Sequence, residues 1–176
     1  MKWIGISGSW RQVNQKIEND VRKIVSEIMK HGDGIVSGGA LNVDFIALDE
    51  SLKHDPKANK IKIFIPTTLE KFVAHYRKHA QLGTITSDQA ENIIRQLTRL
   101  KEINSKALIE NPDTNFIEEN KKDRYYERNS KIVEASDELV AFRVKTKDSE
   151  GMGTADTIMK AKIKNIPIDL HFYDLA

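Results

Sequence analysis

Trp3-Ile4-Gly5-Ile6-Ser7-Gly8-Ser9-Trp10-Arg11 is a short apolar run that breaks into a glycine-serine turn, and the rest of the chain repeats its logic. Downstream, Val13, Ile17, Val21, Ile24, Val25 and Ile28 recur at spacings of three and four, so a helix with one apolar face is expected over about residues 13–30. His31-Gly32-Asp33-Gly34 ends it. A second cycle follows: Ile35-Val36 as a strand, the turn Ser37-Gly38-Gly39-Ala40, then Val43, Ile46, Ala47 and Leu48 opening another helix. Ile61-Lys62-Ile63-Phe64-Ile65 is the third strand, stopped by Pro66. Apolar runs alternating with helical segments are the mark of stacked βα units rather than hairpins.

From about residue 67 to 120 the rhythm gives way to a polar, helical stretch. Ser87 is the expected cap of a helix that carries Ile93, Ile94, Leu97, Leu100 and Ile103 on one face, and Asn111-Pro112-Asp113-Thr114-Asn115 reads as a turn. We expect a helical excursion here that covers the site. Regular units then resume with a helix over Tyr125 to Ala135, a strand at Glu138-Leu139-Val140-Ala141-Phe142, a helix from Thr154 to about Lys164, and a last strand at Pro167-Ile168-Asp169-Leu170-His171-Phe172. Five strands separated by helices give one α/β domain over residues 1–176. Its expected architecture is three-layered, a doubly wound, mostly parallel sheet with a helical insertion after strand three.

The 176 residues include 28 basic and 26 acidic side chains, a net charge of +2, which gives no bulk preference for nucleic acid, so any anion site must be local. With no cysteine, disulfides, thiolate catalysis and Cys-based metal sites are excluded. The first residues are too short an apolar run for a signal segment or a membrane span, so a cytoplasmic location without membrane contact is expected.

Ligands in such sheets bind beyond the carboxyl ends of the strands, where three turns qualify. In Ser7-Gly8-Ser9-Trp10-Arg11, glycine admits a close backbone approach, and the serines, free amides and Arg11 can donate to phosphate; the structural alternative is a plain turn with Trp10 over the core. In Ser37-Gly38-Gly39-Ala40-Leu41-Asn42-Val43-Asp44, paired glycines enter a helix N-terminus; Asp44 is either a group that meets a ligand hydroxyl or a cap bracing two loops. Gly151-Met152-Gly153-Thr154 repeats the pattern after a different strand, and two such turns facing one crevice suit a phosphate between them. Arg128, beside Asn129, is either the bidentate partner of that phosphate or a surface ion pair with Glu127 or Glu134.

In their order these motifs resemble the Rossmann-like SLOG superfamily, which joins the DNA-processing protein A (Smf) family to the LONELY GUY, or lysine-decarboxylase-like, family. The resemblance rests on Gly8-Ser9-Trp10-Arg11, Val36-Ser37-Gly38-Gly39-Ala40 with Asp44, Arg128-Asn129 with Ser136-Asp137, and Gly151-x-Gly153-Thr154-Ala155, and it leaves out roughly residues 67–120. The LONELY GUY pattern implies cleavage of a nucleoside 5′-monophosphate to base and ribose 5-phosphate. Glu127-Arg128, Gly151, Gly153 and Thr154 match it, whereas Asn129 replaces its lysine and Thr157 stands at its glutamate, with Asp156 one position early. The DNA-processing pattern implies binding of single-stranded DNA; Leu41-Asn42 replace its Arg-Gly and Ser130 its second arginine.

The leading expectation is therefore a stand-alone module that binds a nucleotide or nucleotide-derived phosphate, with no further cofactor. A nucleotide N-glycosidase using Arg128 with Asp44 or Asp156 is the second, and a single-stranded DNA binder extended by Lys121-Lys122-Arg124 and Arg77-Lys78 the third. His75 and His79 sit at i and i+4 without an evident third ligand, so no metal is expected. Tyr125 and Tyr126 are candidates to stack on a base. An apolar helix face over about 88–109, outside the α/β layers, points to a homodimer surface.

Overall fold

A computed structural model describes all residues 1–176. Six strands, β1 (Trp3–Gly8), β2 (Gly34–Gly38), β3 (Ile61–Phe64), β4 (Leu108–Ile109), β5 (Glu138–Lys145) and β6 (Ile168–Asp174), form one sheet in the order β4-β3-β2-β1-β5-β6. Every pairing is parallel. The helices are α1 (Gln15–His31), α2 (Val43–His54), α3 (Leu69–Gln81), α4 (Ser87–Ile103), α5 (Lys121–Glu134) and α6 (Met152–Lys164). This is the three-layer Rossmann-like fold expected, with one strand more and with no antiparallel member.

Alternate residues of β5 show the layering. Val140, Phe142 and Val144 join Ile17, Val21 and Val25 of α1 and Val43, Ile46 and Ala47 of α2 in one cluster, while Leu139 and Ala141 join Val133 of α5 and Ile158 and Ala161 of α6 in another. Because strand side chains alternate, the two clusters lie on opposite faces. Such a central strand reads as a continuous apolar run, as Leu139-Val140-Ala141-Phe142 does.

The stretch after β3 belongs to these layers rather than standing outside them. α4 buries Ile93, Ile94, Leu97 and Leu100 in a third cluster with Ile61 and Ile63 of β3, Leu48 of α2 and Phe72 of α3. The chain then returns to the sheet as β4, which extends its edge beside β3. Most of the apolar face of residues 88–109 expected to seek a second copy is thus buried within the chain, with Ile103 left exposed. Two helix starts also move: Thr86, not Ser87, caps α4, in a reciprocal box with Gln89, and α5 begins at Lys121, four residues early. No helix is long and apolar enough to cross a membrane.

The chain winds outward from β1 through β2, β3 and β4, then crosses back to lay β5 and β6 on the other side. The reversal lies between β1 and β5, and a crevice beyond their carboxyl ends is the natural binding place of such a sheet.

Candidate functional site

At that crevice lies a cavity of about 380 Å³. Ser7 and Gly8 end β1 at its floor, with Trp10 and Arg11 just beyond. Ala40, Leu41 and Asp44 enter from the β2–α2 junction, and Gly153 from the first turn of α6. α5 supplies Lys121, Lys122, Tyr125, Tyr126, Arg128 and Asn129, and α3 supplies His75, Tyr76 and His79.

Two glycines explain how the elements approach so closely. A Cβ on Gly8 would lie 2.5–2.6 Å from Cβ, Cγ1 and Cγ2 of Val43, so the end of β1 touches the first turn of α2 only because residue 8 has no side chain. A Cβ on Gly38 would lie 2.5 Å from Nη1 of Arg128 and 2.7 Å from Oδ2 of Asp44. The arginine and the aspartate therefore meet over the bare backbone of Gly38. The two loops are tied by Asn42, whose amide donates to the Trp10 carbonyl at 2.5 Å and whose backbone is left-handed at φ 62°. Asn42 thus does the bracing that the sequence offered to Asp44.

Arg128 is not a surface ion pair with Glu127 or Glu134. Its guanidinium turns inward, lies 5.2 Å from the centre of the Tyr125 ring, and donates from Nη2 to the Asn129 side chain at 3.1 Å. Nε and Nη1 are buried and have no hydrogen-bond partner in the protein. Asp44 faces it across Gly38, yet no Arg128 nitrogen reaches ion-pair distance of the carboxylate, which instead accepts from the Ala40 N–H at 3.3 Å. Burial pushes the Asp44 carboxyl above the usual aspartate range; the Arg128 charge and the Ala40 N–H counter this only in part.

The remaining sequence candidates divide into lining and supporting residues. Ser7, Gly8, Arg11, Ala40, Asp44, Arg128, Asn129 and Gly153 line the cavity, whereas Ser9, Ser37, Gly38, Gly39, Gly151, Thr154 and Asp156 stand behind its wall. The Ser37 hydroxyl donates to the Ile6 carbonyl, and Ser9 Oγ accepts from the Arg11 N–H. The Gly39 carbonyl accepts from the Tyr76 hydroxyl at 2.7 Å. Gly151 holds a left-handed backbone at φ 72° as the cap of α6, which starts at Met152, two residues before the expected Thr154. Asp156 departs most from expectation: it pairs with Lys160 at 2.5 Å and accepts from the Asn129 side chain at 3.0 Å, so its charge is matched and spent on orientation. Thr157 is buried and donates to the Gly153 carbonyl.

α3 is the part of the site that the resemblance did not cover. Nε2 of His75 lies 3.3 Å from the Tyr125 hydroxyl, and the His79 ring packs against His75 with centres 4.4 Å apart. Burial lowers His75 to about 4 and lowers His79 as well, so both imidazoles are neutral near pH 7. No group of three metal-ligating side chains forms here or elsewhere in the chain. Lys121 and Lys122 open α5, where cations oppose the helix dipole; Glu118 offsets Lys121 at 3.0 Å.

No protein-family model and no curated protein matches the chain. Among solved structures it is similar to DNA processing protein A from Helicobacter pylori, which binds single-stranded DNA, with TM-score 0.65 and 21% identity over 96% of this chain and 64% of that one. DNA processing protein A from Streptococcus pneumoniae gives 0.59 and 15% over 96% and 50%. The molybdenum cofactor carrier protein from Chlamydomonas reinhardtii gives 0.52 and 16% over 96% and 75%. The chain thus spans 64% and 50% of the length of the two DNA processing proteins. At these identities the likeness is one of architecture, and the chain has the Rossmann-like fold that these proteins share.

Proposed function

We propose that the cavity at the carboxyl edge of the sheet binds a nucleotide or other phosphate-bearing ligand, with Arg128 as its main charge partner. The observation that carries this reading is the state of Arg128: a cation in the cavity wall with one neutral hydrogen bond, two buried unpartnered donors and no carboxylate in ion-pair reach. An undercompensated buried cation costs several kcal/mol unless an anion meets it. Arg11 and Lys122 add positive charge to the cavity lining, against Asp44 as its one carboxylate. That DNA processing protein A of Helicobacter pylori binds single-stranded DNA, itself a nucleotide polymer, supports the same ligand chemistry.

The test is a thermal-shift series with nucleoside mono-, di- and triphosphates and ribose 5-phosphate on the parent protein and Arg128→Ala. A ligand at about 100 times its Kd adds roughly 2.7 kcal/mol, or about 5–10 °C for a chain of this size. The expected result is such a shift in the parent and none in the variant. An equal shift in both, or none with any phosphate, overturns the proposal. A single-phosphate ligand also gives a shallow dependence of affinity on salt, whereas a strand engaging several phosphates gives a steep one.

Asp44 favours one chemical extension of the reading, hydrolysis of an N-glycosidic bond. A carboxyl whose pKa is raised by burial, within the same cavity as the anchoring arginine, is suited to proton transfer to a leaving base. Chromatography after incubation with nucleoside monophosphates detects free base if this occurs. Intact nucleotide after prolonged incubation rejects hydrolysis and leaves the binding proposal standing.

A further inference from the structure

The cavity is chemically lopsided. The loop after β1 and α5 bring Arg11, Lys122 and Arg128 to it, with Asp44 from the β2–α2 side, whereas at its α3 end His75, His79, Tyr125 and Ile85 offer aromatic and apolar surface with neutral hydrogen-bonding atoms. Lys121 and Lys78, the cations acting on that end, both face Glu118. An anion is therefore drawn to one end and finds no free charge at the other.

The imidazoles at the α3 end are not equivalent. His75 already has a partner for Nε2 in the Tyr125 hydroxyl, and it stacks parallel to Phe72 at 5.9 Å, which fixes its ring. His79 leans edge-to-face on that ring, but its own Nε2 is buried and has no partner in the protein. Buried polar atoms are almost always satisfied, so a lone one on a residue lining a ligand cavity points to a partner on the ligand. Arg128 and His79 are the two cavity-lining residues with such unpartnered atoms. Tyr125 lies between them, 5.2 Å from the guanidinium on one side and hydrogen-bonded to His75 on the other.

We propose that the α3 end of the cavity reads a neutral nitrogen heterocycle of nucleobase type, joined to the phosphate held at Arg128, and that His79 is the residue selecting it through Nε2. This rests on the phosphate reading above and adds the identity of the ligand's other half. A neutral imidazole presents one donor and one acceptor, so it meets the mixed donor and acceptor edge of a base and gives no advantage to a second anionic group. A site that hydrogen-bonds a ligand edge also rejects a ligand lacking that edge, because the site's own polar atom is then left unpaired. The same chemistry is offered by a free mononucleotide and by one nucleotide of a single strand.

Calorimetric titration of the parent, His79→Ala, His79→Gln and Arg128→Ala with the four 5′-mononucleotides, ribose 5-phosphate and a single-stranded oligonucleotide tests the assignment. The expected result is that His79→Ala weakens the preferred mononucleotide roughly five- to tenfold and leaves ribose 5-phosphate within twofold. His79→Gln, which keeps a hydrogen-bonding side chain, recovers part of the loss. Arg128→Ala weakens both ligands. If His79→Ala weakens ribose 5-phosphate as much as the nucleotide, or neither, base reading by His79 is overturned while the phosphate site stands. If Arg128→Ala binds every ligand as the parent does, the phosphate reading itself falls. Preference for the oligonucleotide over the mononucleotide, with the same His79 dependence, supports the assignment and identifies the strand as the source of the base. Melting of His79→Ala within about 2 °C of the parent ensures that a binding loss is local.

Discussion

Gly38→Ala isolates the phosphate reading from the stability of the fold. The added methyl would sit 2.5 Å from Nη1 and 2.7 Å from Cζ of Arg128, and 2.7 Å from Oδ2 of Asp44. Ordinary contact begins near 3.4 Å, so the guanidinium must withdraw by about 1 Å. Charge-assisted hydrogen bonds form at about 2.7–2.9 Å, and a shift of that size removes one of them. At about 1.5–3 kcal/mol for a hydrogen bond to a charged group, affinity should fall roughly 10- to 150-fold. Stability should change little, because the displaced atoms are ends of side chains and not backbone, and a change under about 1 kcal/mol moves Tm by no more than about 4 °C. Calorimetric titration with the best-binding nucleotide, beside thermal melts, reads both quantities. The double variant Gly38→Ala/Arg128→Ala should bind no more weakly than Arg128→Ala alone, since both changes remove the same contact. Affinity within threefold of the parent, or independent losses that multiply in the double variant, would refute the reading that Gly38 seats the guanidinium that meets the phosphate.

Gly8→Ala should do the opposite and destabilise the fold, because Cβ and both γ-methyls of Val43 lie at 2.5–2.6 Å and no rotamer escapes; about 1–3 kcal/mol of overpacking lowers Tm by roughly 2–12 °C, and a melt unchanged within 1 °C would contradict the packing of α2 on β1. Asp44→Asn should stabilise the ligand-free protein at neutral pH. The folded pKa of Asp44 lies above its unfolded value, so ionisation costs stability above the folded pKa and nothing below the unfolded value near 3.8. The variant's gain should therefore be larger at pH 8 than at pH 4 in denaturant titrations; an equal gain at both would show that burial of the charge is not its source. His75, lowered to about 4, contributes stability that is whole above pH 6.5 and is lost as pH falls toward 4, so its ring proton signals should not titrate between pH 5.5 and 8, and a midpoint near 6.5 would contradict its burial.

The fold was legible because its signals are local and repeated. Trp3-Ile4-Gly5-Ile6, Ile61-Lys62-Ile63-Phe64 and Leu139-Val140-Ala141-Phe142 became strands, and the stretches of 3.6 periodicity in α1 and α4 became helices. β4 was not legible, since two residues, Leu108 and Ile109, carry no alternation, and only pairing with Ile63 and Phe64 makes them a strand. That one omission left the apolar face of α4 without a partner in the sequence reading. Around the cavity, the tasks of the glycines at 8, 38, 39 and 151 singled out from sequence differ in ways that spacing does not reveal. Gly8 and Gly38 make room for another element, whereas Gly151 is required by its left-handed backbone. Asp156 carried the expected residue type near the expected position. Its matching by Lys160, four residues later on α6, is visible in sequence as an i,i+4 pair, but its grip on Asn129 is tertiary.

That grip explains why Arg128 and Asp44 do not close on each other. Lys160 donates to Asp156 and to the Tyr126 carbonyl, Asp156 accepts from Asn129, and Asn129 accepts from Nη2 of Arg128. The chain of contacts runs from α6 to α5, so the two helices covering one face of the sheet hold the guanidinium from behind. Asp44 is anchored separately, by the Ala40 N–H within the α2 turn, while Asn42 fastens that turn to the loop after β1. A flexible arginine beside a buried carboxylate would otherwise collapse into an ion pair and silence both groups. Holding each from its own side keeps the pair apart over Gly38. In the proposed site, a phosphate would meet a cation already oriented, and most of the ordering cost of a free arginine would be met in the folded chain.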